Sequence, residues 1–256
     1  MGDIRFSCPP ELVRSLAVAG GIDAAIETGT FRAEGALILR QAVARVWTIE
    51  LDEQLHARAV ARYGDRPGIT FLKGSSDEQL RKLTDEVDEP VIFWLDAHGG
   101  MPDYLGEKLR GVAGDAAQPC PLIAELRTVR EFRHVRSSCV LIDDARGFLE
   151  PHTTNTSEAY WPSAPSLVDI VDLLRLDAHR YITILDDVIM AVPKELRPVI
   201  DKWWLDQVCD REGRDAHQQL VWEANNPKPG RAARLLVKSV TPAFVRRAYS
   251  KYEQRQ

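Results

Sequence analysis

The sequence is poor in the features that mark secreted, zinc-binding or membrane-spanning proteins. Its four cysteines, Cys8, Cys120, Cys139 and Cys209, are far apart and form no Cys-x-x-Cys pair, which argues against a disulfide framework and against a zinc site. No apolar run approaches the ~20 residues that a membrane-spanning helix needs. The first residues also lack the basic and apolar regions of a signal peptide. We therefore expect a cytoplasmic protein without membrane contact.

Basic charge is also scarce over the chain as a whole. The 256 residues carry a formal net charge of −5, so no overall positive field favours a nucleic-acid partner. Positive charge gathers near the C-terminus, where a solvated helix face is the simplest interpretation. The basic residues there are Arg231, Arg234, Lys238, Arg246, Arg247, Lys251 and Arg255.

A nucleotide-binding unit near the N-terminus lacks the dinucleotide fingerprint. Residues 24–52 read AAIETGTFRAEGALILRQAVARVWTIELD, a strand, a glycine turn, a helix, a second strand and an acidic residue. The G-x-G-x-x-G pattern is missing, because the next glycine after Gly29 is Gly35. Glu27 stands directly before the turn, where it would repel a pyrophosphate. It suits a ligand with a cationic end, such as the amino group of S-adenosylmethionine, and Glu50 is placed to bind ribose hydroxyls.

The rest of the chain predicts strands that alternate with helices and end in a hairpin. After the two strands of the first unit, the predicted strands are Ile69–Lys73, Val91–Asp96, Ser138–Asp143, Tyr181–Leu185 and Val188–Val192. The predicted helices are one after Pro9-Pro10, then Ala33–Ala44, Asp52–Tyr63, one capped by Ser76 or Asp77 that runs to about Val87, Pro119–Phe132 and Ser166–Leu176. The Asp186-Asp187 pair predicts the turn of the antiparallel hairpin.

This outline predicts an α/β protein with the Rossmann-like class I methyltransferase sandwich. Its sheet is seven-stranded and mostly parallel, with a terminal antiparallel hairpin. We expect residues 1–193 to form an S-adenosylmethionine-binding domain and residues 194–256 a helical C-terminal extension. Trp203-Trp204 reads as core or interface packing.

Acidic residues follow several of the predicted strands, at the edge of the sheet where ligands bind. Asp96 ends the fourth strand, and Asp143 and Asp144 end the fifth. Crowded carboxylates repel one another unless a cation lies among them, and oxygen ligands of this kind suit Mg²⁺ or Ca²⁺. Asp144 reads equally well as a metal ligand or as a residue that only caps a helix or lies in a solvated loop. His98 reads either as a general base or as a loop histidine.

Several short motifs together resemble the TylF/macrocin O-methyltransferase-like family, which are class I S-adenosylmethionine enzymes of bacterial natural-product pathways. The motifs are IETGTFRAEG, TIELD, LDAH, CPLIAEL and LIDDAR. The resemblance covers about residues 20–193. The chain departs from the family at Ala33, where glycine is common, and in the long loop 99–118, where acceptor specificity would be expected.

The resemblance implies a role for each matching residue. The expected cofactor-binding residues are Glu27, Thr28, Gly29 and Thr30 for the methionine end, Glu50 for the ribose, Gly74, Ser75 and Ser76 for the adenine, and Asp96. Asp96, Asp143 and Asp144 match the positions that hold Mg²⁺, and Asp96 and His98 are the expected catalytic residues.

The function expected from these features is Mg²⁺-dependent O-methylation of a small molecule, a sugar or a natural-product intermediate. A metal would lower the pKa of the attacking hydroxyl, and Asp96 or His98 would take its proton. One alternative keeps the fold but makes the protein a metal-dependent hydrolase or hydroxylase-like enzyme. Another is a non-catalytic subunit that retains cofactor binding. The helical C-terminal extension would suit a homodimer interface.

Overall fold

A seven-stranded sheet forms the centre of the fold. The structure, a computed structural model, describes residues 8–97, 120–149, 164–175 and 179–209. The strands are β1 (Ala24–Thr28), β2 (Arg45–Glu50), β3 (Ile69–Lys73), β4 (Ile92–Leu95), β5 (Cys139–Ile142), β6 (Arg180–Leu185) and β7 (Val188–Pro193). Their order across the sheet is β3-β2-β1-β4-β5-β7-β6.

The direction of the strands matches the prediction. Strands β1 to β5 pair in parallel, whereas β7 runs antiparallel to both β5 and β6. Asp186 and Asp187 join β6 to β7 with φ values of 51° and 69°. Two left-handed residues in succession are what a tight type I′ hairpin turn requires, and aspartate tolerates that conformation. The predicted sandwich with a terminal hairpin is therefore confirmed.

Helices lie between the strands and cover the sheet. They are α1 (Pro10–Gly20), α2 (Glu34–Ala42), α3 (Glu53–Tyr63), α4 (Ser76–Glu86), α5 (Leu122–Glu131) and α6 (Leu167–Leu174). Short 3₁₀ turns occupy Val135–Ser137, Ala145–Phe148 and Lys194–Leu196. None of the described helices combines the length and the apolar character needed to cross a membrane.

The main core lies on one face of the sheet. Ile26, Phe93 and Val140 point to this face from neighbouring strands and pack with apolar side chains of α4, α5 and α6. Because side chains alternate along a strand, Glu27 points to the opposite face, beside Thr48 of β2. The central strands are buried on both faces, which explains their near-continuous apolar sequences.

Element ends lie at most three residues from the predicted ends, β3 matches its prediction, and one predicted cap is wrong. Helix α5 begins at Leu122 because Pro121 takes the capping position. The N-cap of α4 is Ser75 and not Ser76 or Asp77, since the backbone of Ser75 is extended and Ser76 is already helical. The Ser75 hydroxyl donates to the Asp77 carboxylate and makes no cap bond to the backbone.

The chain divides into two compact units, residues 1–201 and residues 202–256. The described part of the second unit, residues 202–209, is helical. In it the ring centroids of Trp203 and Trp204 lie 6.1 Å apart. The division predicted after residue 193 stays a prediction.

Candidate active site

The backbone of the turn after β1 packs closely against the backbone at the end of β4. Gly29 has φ +85°, and a Cβ at this position would lie 2.4 Å from the carbonyl oxygen of Asp96. Only glycine fits such a conformation and such a close approach. The N–H groups of Gly29 and Thr30 both donate to the carbonyl of Ile49, at 3.0 and 3.1 Å. The Asp96 N–H donates to the Thr28 carbonyl at 3.1 Å. The ends of β1, β2 and β4 therefore meet in one place.

The chain between this turn and α2 is held in an unusual conformation. Phe31 and Ala33 have φ values of 45° and 64°, which cost free energy for residues with a side chain. Ala33 is the N-cap of α2 and makes no side-chain cap bond. The first N–H groups of α2 therefore lack a capping side chain, and such groups attract anions, including carboxylates.

A chain of three side chains starts at Glu27 beneath the turn. The Thr48 hydroxyl donates to Glu27 Oε2 at 2.5 Å. The hydroxyls of Thr48 and Thr30 lie 2.6 Å apart, and since Thr48 uses its proton on Glu27, Thr30 donates to Thr48. Burial raises the pKa of Glu27 to about 8 against the lowering effect of Thr48, and the charge of Glu50 raises it further. Without a ligand, Glu27 is therefore mostly protonated at neutral pH.

Glu50 is the last residue of β2, and its carboxylate accepts hydrogen bonds from nearby backbone N–H groups. Its Oε2 accepts the N–H of Phe31 and its Oε1 accepts the N–H of Asp52, both at 2.8 Å. A carboxylate offers about four lone-pair positions, so both oxygens keep capacity for further donors such as a ribose diol. Phe31 and Leu51 are large apolar residues with partly exposed side chains.

The turn after β3 is attached to the same edge. Gly74, with φ +143°, donates its N–H to the Glu50 carbonyl at 3.0 Å. Ser76 follows as the first residue of α4 and is buried. The structure therefore brings together the predicted cofactor residues Glu27 to Thr30, Glu50, Gly74 to Ser76, and Asp96.

Three aspartates lie at the ends of β4 and β5. Asp96 keeps some exposed surface, yet burial of its carboxyl, followed by the charges of Asp143 and Asp144, raises its pKa well above the usual range. Burial and the charge of Asp144 raise the pKa of Asp143 to about 7, although the Asp144 N–H donates to it at 2.8 Å. These carboxyl groups repel one another, as the sequence predicts.

Arg146 already balances one of these charges. Its guanidinium donates to Asp144 Oδ1 at 2.6 Å and pairs with Asp187. Its backbone N–H donates to Asp187 Oδ1 at 2.9 Å, so the hairpin turn is fastened to the loop after β5.

The aspartates fit a metal ion only in part. The carboxyls of Asp96 and Asp143 carry the repulsion that a divalent cation would relieve, whereas Asp144 is occupied by Arg146. In the ranges that the structure describes, no group of three acidic, histidine or cysteine side chains is arranged to hold a metal ion. The three-aspartate metal site stays a prediction. His98 lies outside the described residues, as does the loop 99–118.

Three side chains of this region were not predicted from the sequence. Thr48 links Glu27 to Thr30, and its position two residues before Glu50 places both on one face of β2. Glu125 is buried on α5 among Leu122, Leu126 and Val129; an acid within an apolar helical stripe is a readable signal. The pairing of Arg146 with Asp187 had no comparable signal, because the two residues are 41 positions apart.

Comparison with known proteins supports the fold. No protein-family model matches the chain, and no curated protein does. Among solved structures, an SAH-bound methyltransferase from Podospora anserina is 13% identical, with a TM-score of 0.50 over 71% of this chain and 76% of its own. An O-methyltransferase from Bacillus cereus in complex with SAH is 16% identical, with a TM-score of 0.48 over 72% and 80%. The first likeness shows the fold: the chain has the Rossmann-like class I methyltransferase sandwich.

Proposed function

We propose that the protein is an S-adenosylmethionine-dependent O-methyltransferase of a small molecule. The observation that carries the proposal is the junction at Gly29, where the ends of β1, β2 and β4 meet around two buried acids, Glu27 and Glu50. In an open α/β sheet, this edge is where ligands bind. The resemblance of the sequence motifs to the TylF/macrocin O-methyltransferase-like family points to the same cofactor.

The residues of the junction suit the parts of this cofactor. Glu27 is a buried acid that would pair with the ammonium group, and it is burial that raises its pKa to about 8. The uncapped N-terminus of α2 suits the carboxylate of the methionine end. Glu50 keeps acceptor capacity for the ribose hydroxyls, and the turn Gly74–Ser76 would border the adenine.

The bound cofactor supplies an electrophilic methyl group on a sulfonium. Hydroxyl oxygens are poor nucleophiles at neutral pH, so a base must take the proton of the acceptor hydroxyl. Asp96 is placed for this role at the end of β4, where burial and the charges of Asp143 and Asp144 raise its pKa well above the usual range and make it a stronger base than an ordinary aspartate. His98, two residues further on, is the second candidate for the same role.

Magnesium is the metal that we propose for the acidic edge. Asp96 and Asp143 would hold it, and Asp144 would join them if Arg146 released its carboxylate and kept its pair with Asp187. The ion would orient the acceptor oxygens and lower the pKa of the hydroxyl. A sugar or a natural-product intermediate with neighbouring hydroxyls is the acceptor class that we favour, in an enzyme that acts alone or as a homodimer.

The proposal is tested by titrating the full chain with S-adenosylhomocysteine in a calorimeter. We expect a Kd at or below about 1 mM, and Glu50→Ala should weaken binding roughly 100-fold, because bonds to a charged group contribute about 1.5–3 kcal/mol each. Asp52→Ala is the matched control. Asp52 caps α3 through the N–H groups of Gln54 and Leu55, so its loss should cost about 1 kcal/mol of stability and leave the affinity unchanged. Absence of binding by the wild type would refute the proposal.

A further inference from the structure

A buried acid lies beneath the candidate site on the opposite face of the sheet from Glu27. Glu125 projects from α5 and is fully buried. Its helix neighbours on the same buried face, Leu122, Leu126 and Val129, are apolar. An acid at such a position costs free energy unless other polar groups compensate for its burial, so its presence calls for a reason beyond packing.

The polar groups beside Glu125 belong to two elements of the candidate site. The hydroxyls of Thr28, at the end of β1, and of Ser76, at the start of α4, both lower its pKa. Burial outweighs them and raises the pKa to about 7, and the charge of Asp77 adds to the increase. Neither carboxyl oxygen reaches full hydrogen-bond geometry with a partner. The two hydroxyls therefore face the acid but do not fully satisfy it.

The hydrogen bonds of Thr28 determine what it can offer to Glu125. Its Oγ1 accepts the N–H of Asp96 at 3.2 Å. A hydroxyl has one proton and two lone pairs, so the proton of Thr28 remains free for the carboxyl of Glu125. Neighbouring polar groups then lead from α5 through β1 to the backbone of Asp96, with a hydrogen bond between Asp96 and Thr28 and a looser contact between Thr28 and Glu125.

We propose that Glu125 is a positioning residue, which holds the end of β1 and the start of α4 in register through the hydroxyls of Thr28 and Ser76 and thereby sets the place of Asp96. The ionised carboxylate accepts from both hydroxyls, and the protonated acid, which has one donor and several acceptor positions, can accept from Thr28 and donate to Ser76. Glutamine has the same pattern, because its carbonyl accepts and its amide donates. This inference deepens the proposed function, but its first test does not require the cofactor.

The first test measures amide hydrogen exchange of the full chain without ligand, in Glu125→Gln and in Glu125→Leu, which has a similar volume. Leucine should speed exchange of the Asp96 amide and of the first turn of α4 about tenfold or more, whereas glutamine should leave both near wild type. Thr128→Val is the matched control, since Thr128 is also a buried polar residue of α5, and it should change neither. Should Glu125→Leu not fold, Glu125→Met takes its place, because methionine fills irregular gaps well.

The second test is the affinity of the same variants for S-adenosylhomocysteine. Leucine should weaken binding about tenfold, and glutamine should restore it to within about threefold of wild type. Folded leucine or methionine variants with unchanged exchange at Asp96 would overturn the positioning role, and so would equal effects of leucine and glutamine. A wild-type chain that binds no S-adenosylhomocysteine would refute the proposed function, and the exchange result would then decide the role of Glu125 alone.

Discussion

The two halves of the candidate site differ in how their acidic side chains are compensated. In the cofactor half, at the ends of β1 and β2, Glu50 is fixed by two backbone N–H groups and Glu27 by Thr48. In the acidic half, at the ends of β4 and β5, Asp96 and Asp143 repel each other, and Arg146 pairs with Asp144 and offsets only part of the increase in the pKa of Asp143. The hydrogen bonds of the cofactor half are therefore formed within the protein, without a contribution from a ligand. The second half has more carboxyl groups than Arg146 alone can balance, and we expect a cation to balance the rest.

Among the substitutions that we consider in the cofactor half, Gly29→Ala should have the largest effect on stability. The new Cβ would collide with the backbone of Asp96 in a left-handed conformation, so we expect a loss of about 5 kcal/mol of stability, an exceptional value for one methyl group. Gly21→Ala is the control, because Gly21 has φ +61° but nothing within 4 Å of its would-be Cβ. It should lose only about 1–2 kcal/mol. Chemical denaturation measures both, and equal losses would contradict the close packing at Gly29.

The acidic half is tested by the pH dependence of stability in the presence of a chelator. The pKa of Asp143 is raised from 3.8 to about 7, so its stability contribution is complete below pH 4 and is lost as the pH rises through 7. The loss amounts to at most about 4 kcal/mol at 1.36 kcal/mol per unit. Asp143→Asn should flatten this part of the curve.

A second experiment repeats the stability measurement with added Mg²⁺ in place of the chelator. At pH 8 we expect it to raise the melting temperature of the wild type and to leave Asp143→Asn unchanged, because binding to the folded state alone stabilises that state. A wild type that does not respond to Mg²⁺ would remove the metal from the proposal and leave the cofactor half intact.

A smaller effect should follow from Thr48→Val, which keeps the shape of the side chain and removes its hydroxyl. Glu27 and Thr30 would both lose their partner, so we expect about 1–2 kcal/mol less stability and roughly tenfold weaker binding of S-adenosylhomocysteine. Thr84→Val is the control, because the Thr84 hydroxyl donates only to the Arg81 carbonyl of its own helix. An unchanged affinity in Thr48→Val would show that the three-residue chain does not shape the cofactor half.

The contrast between the halves also explains what the sequence could predict. Glu27, Glu50, Asp96 and Asp143 each follow an apolar run, and parallel strands bring their ends to one edge, so both the sheet and its acidic edge were predictable. The pairing of Arg146 with Asp187 was not, because it depends on how the hairpin packs against a distant loop. The protonation of Glu27 also depends on burial in three dimensions. The order of the strands and the acids at their ends could be predicted from the sequence, whereas the ion pairs and protonation states of those acids could not.

The most direct test of the cofactor half measures how many protons are released when S-adenosylhomocysteine binds. Wild type and Glu27→Gln are titrated with S-adenosylhomocysteine at pH 7 in two buffers of different ionisation enthalpy. With a pKa of about 8, Glu27 is mostly protonated before binding and must ionise to pair with the ammonium group. We predict release of about one proton per ligand bound by the wild type and none by Glu27→Gln. Binding with no proton released by the wild type, or with equal release by both proteins, would contradict the account.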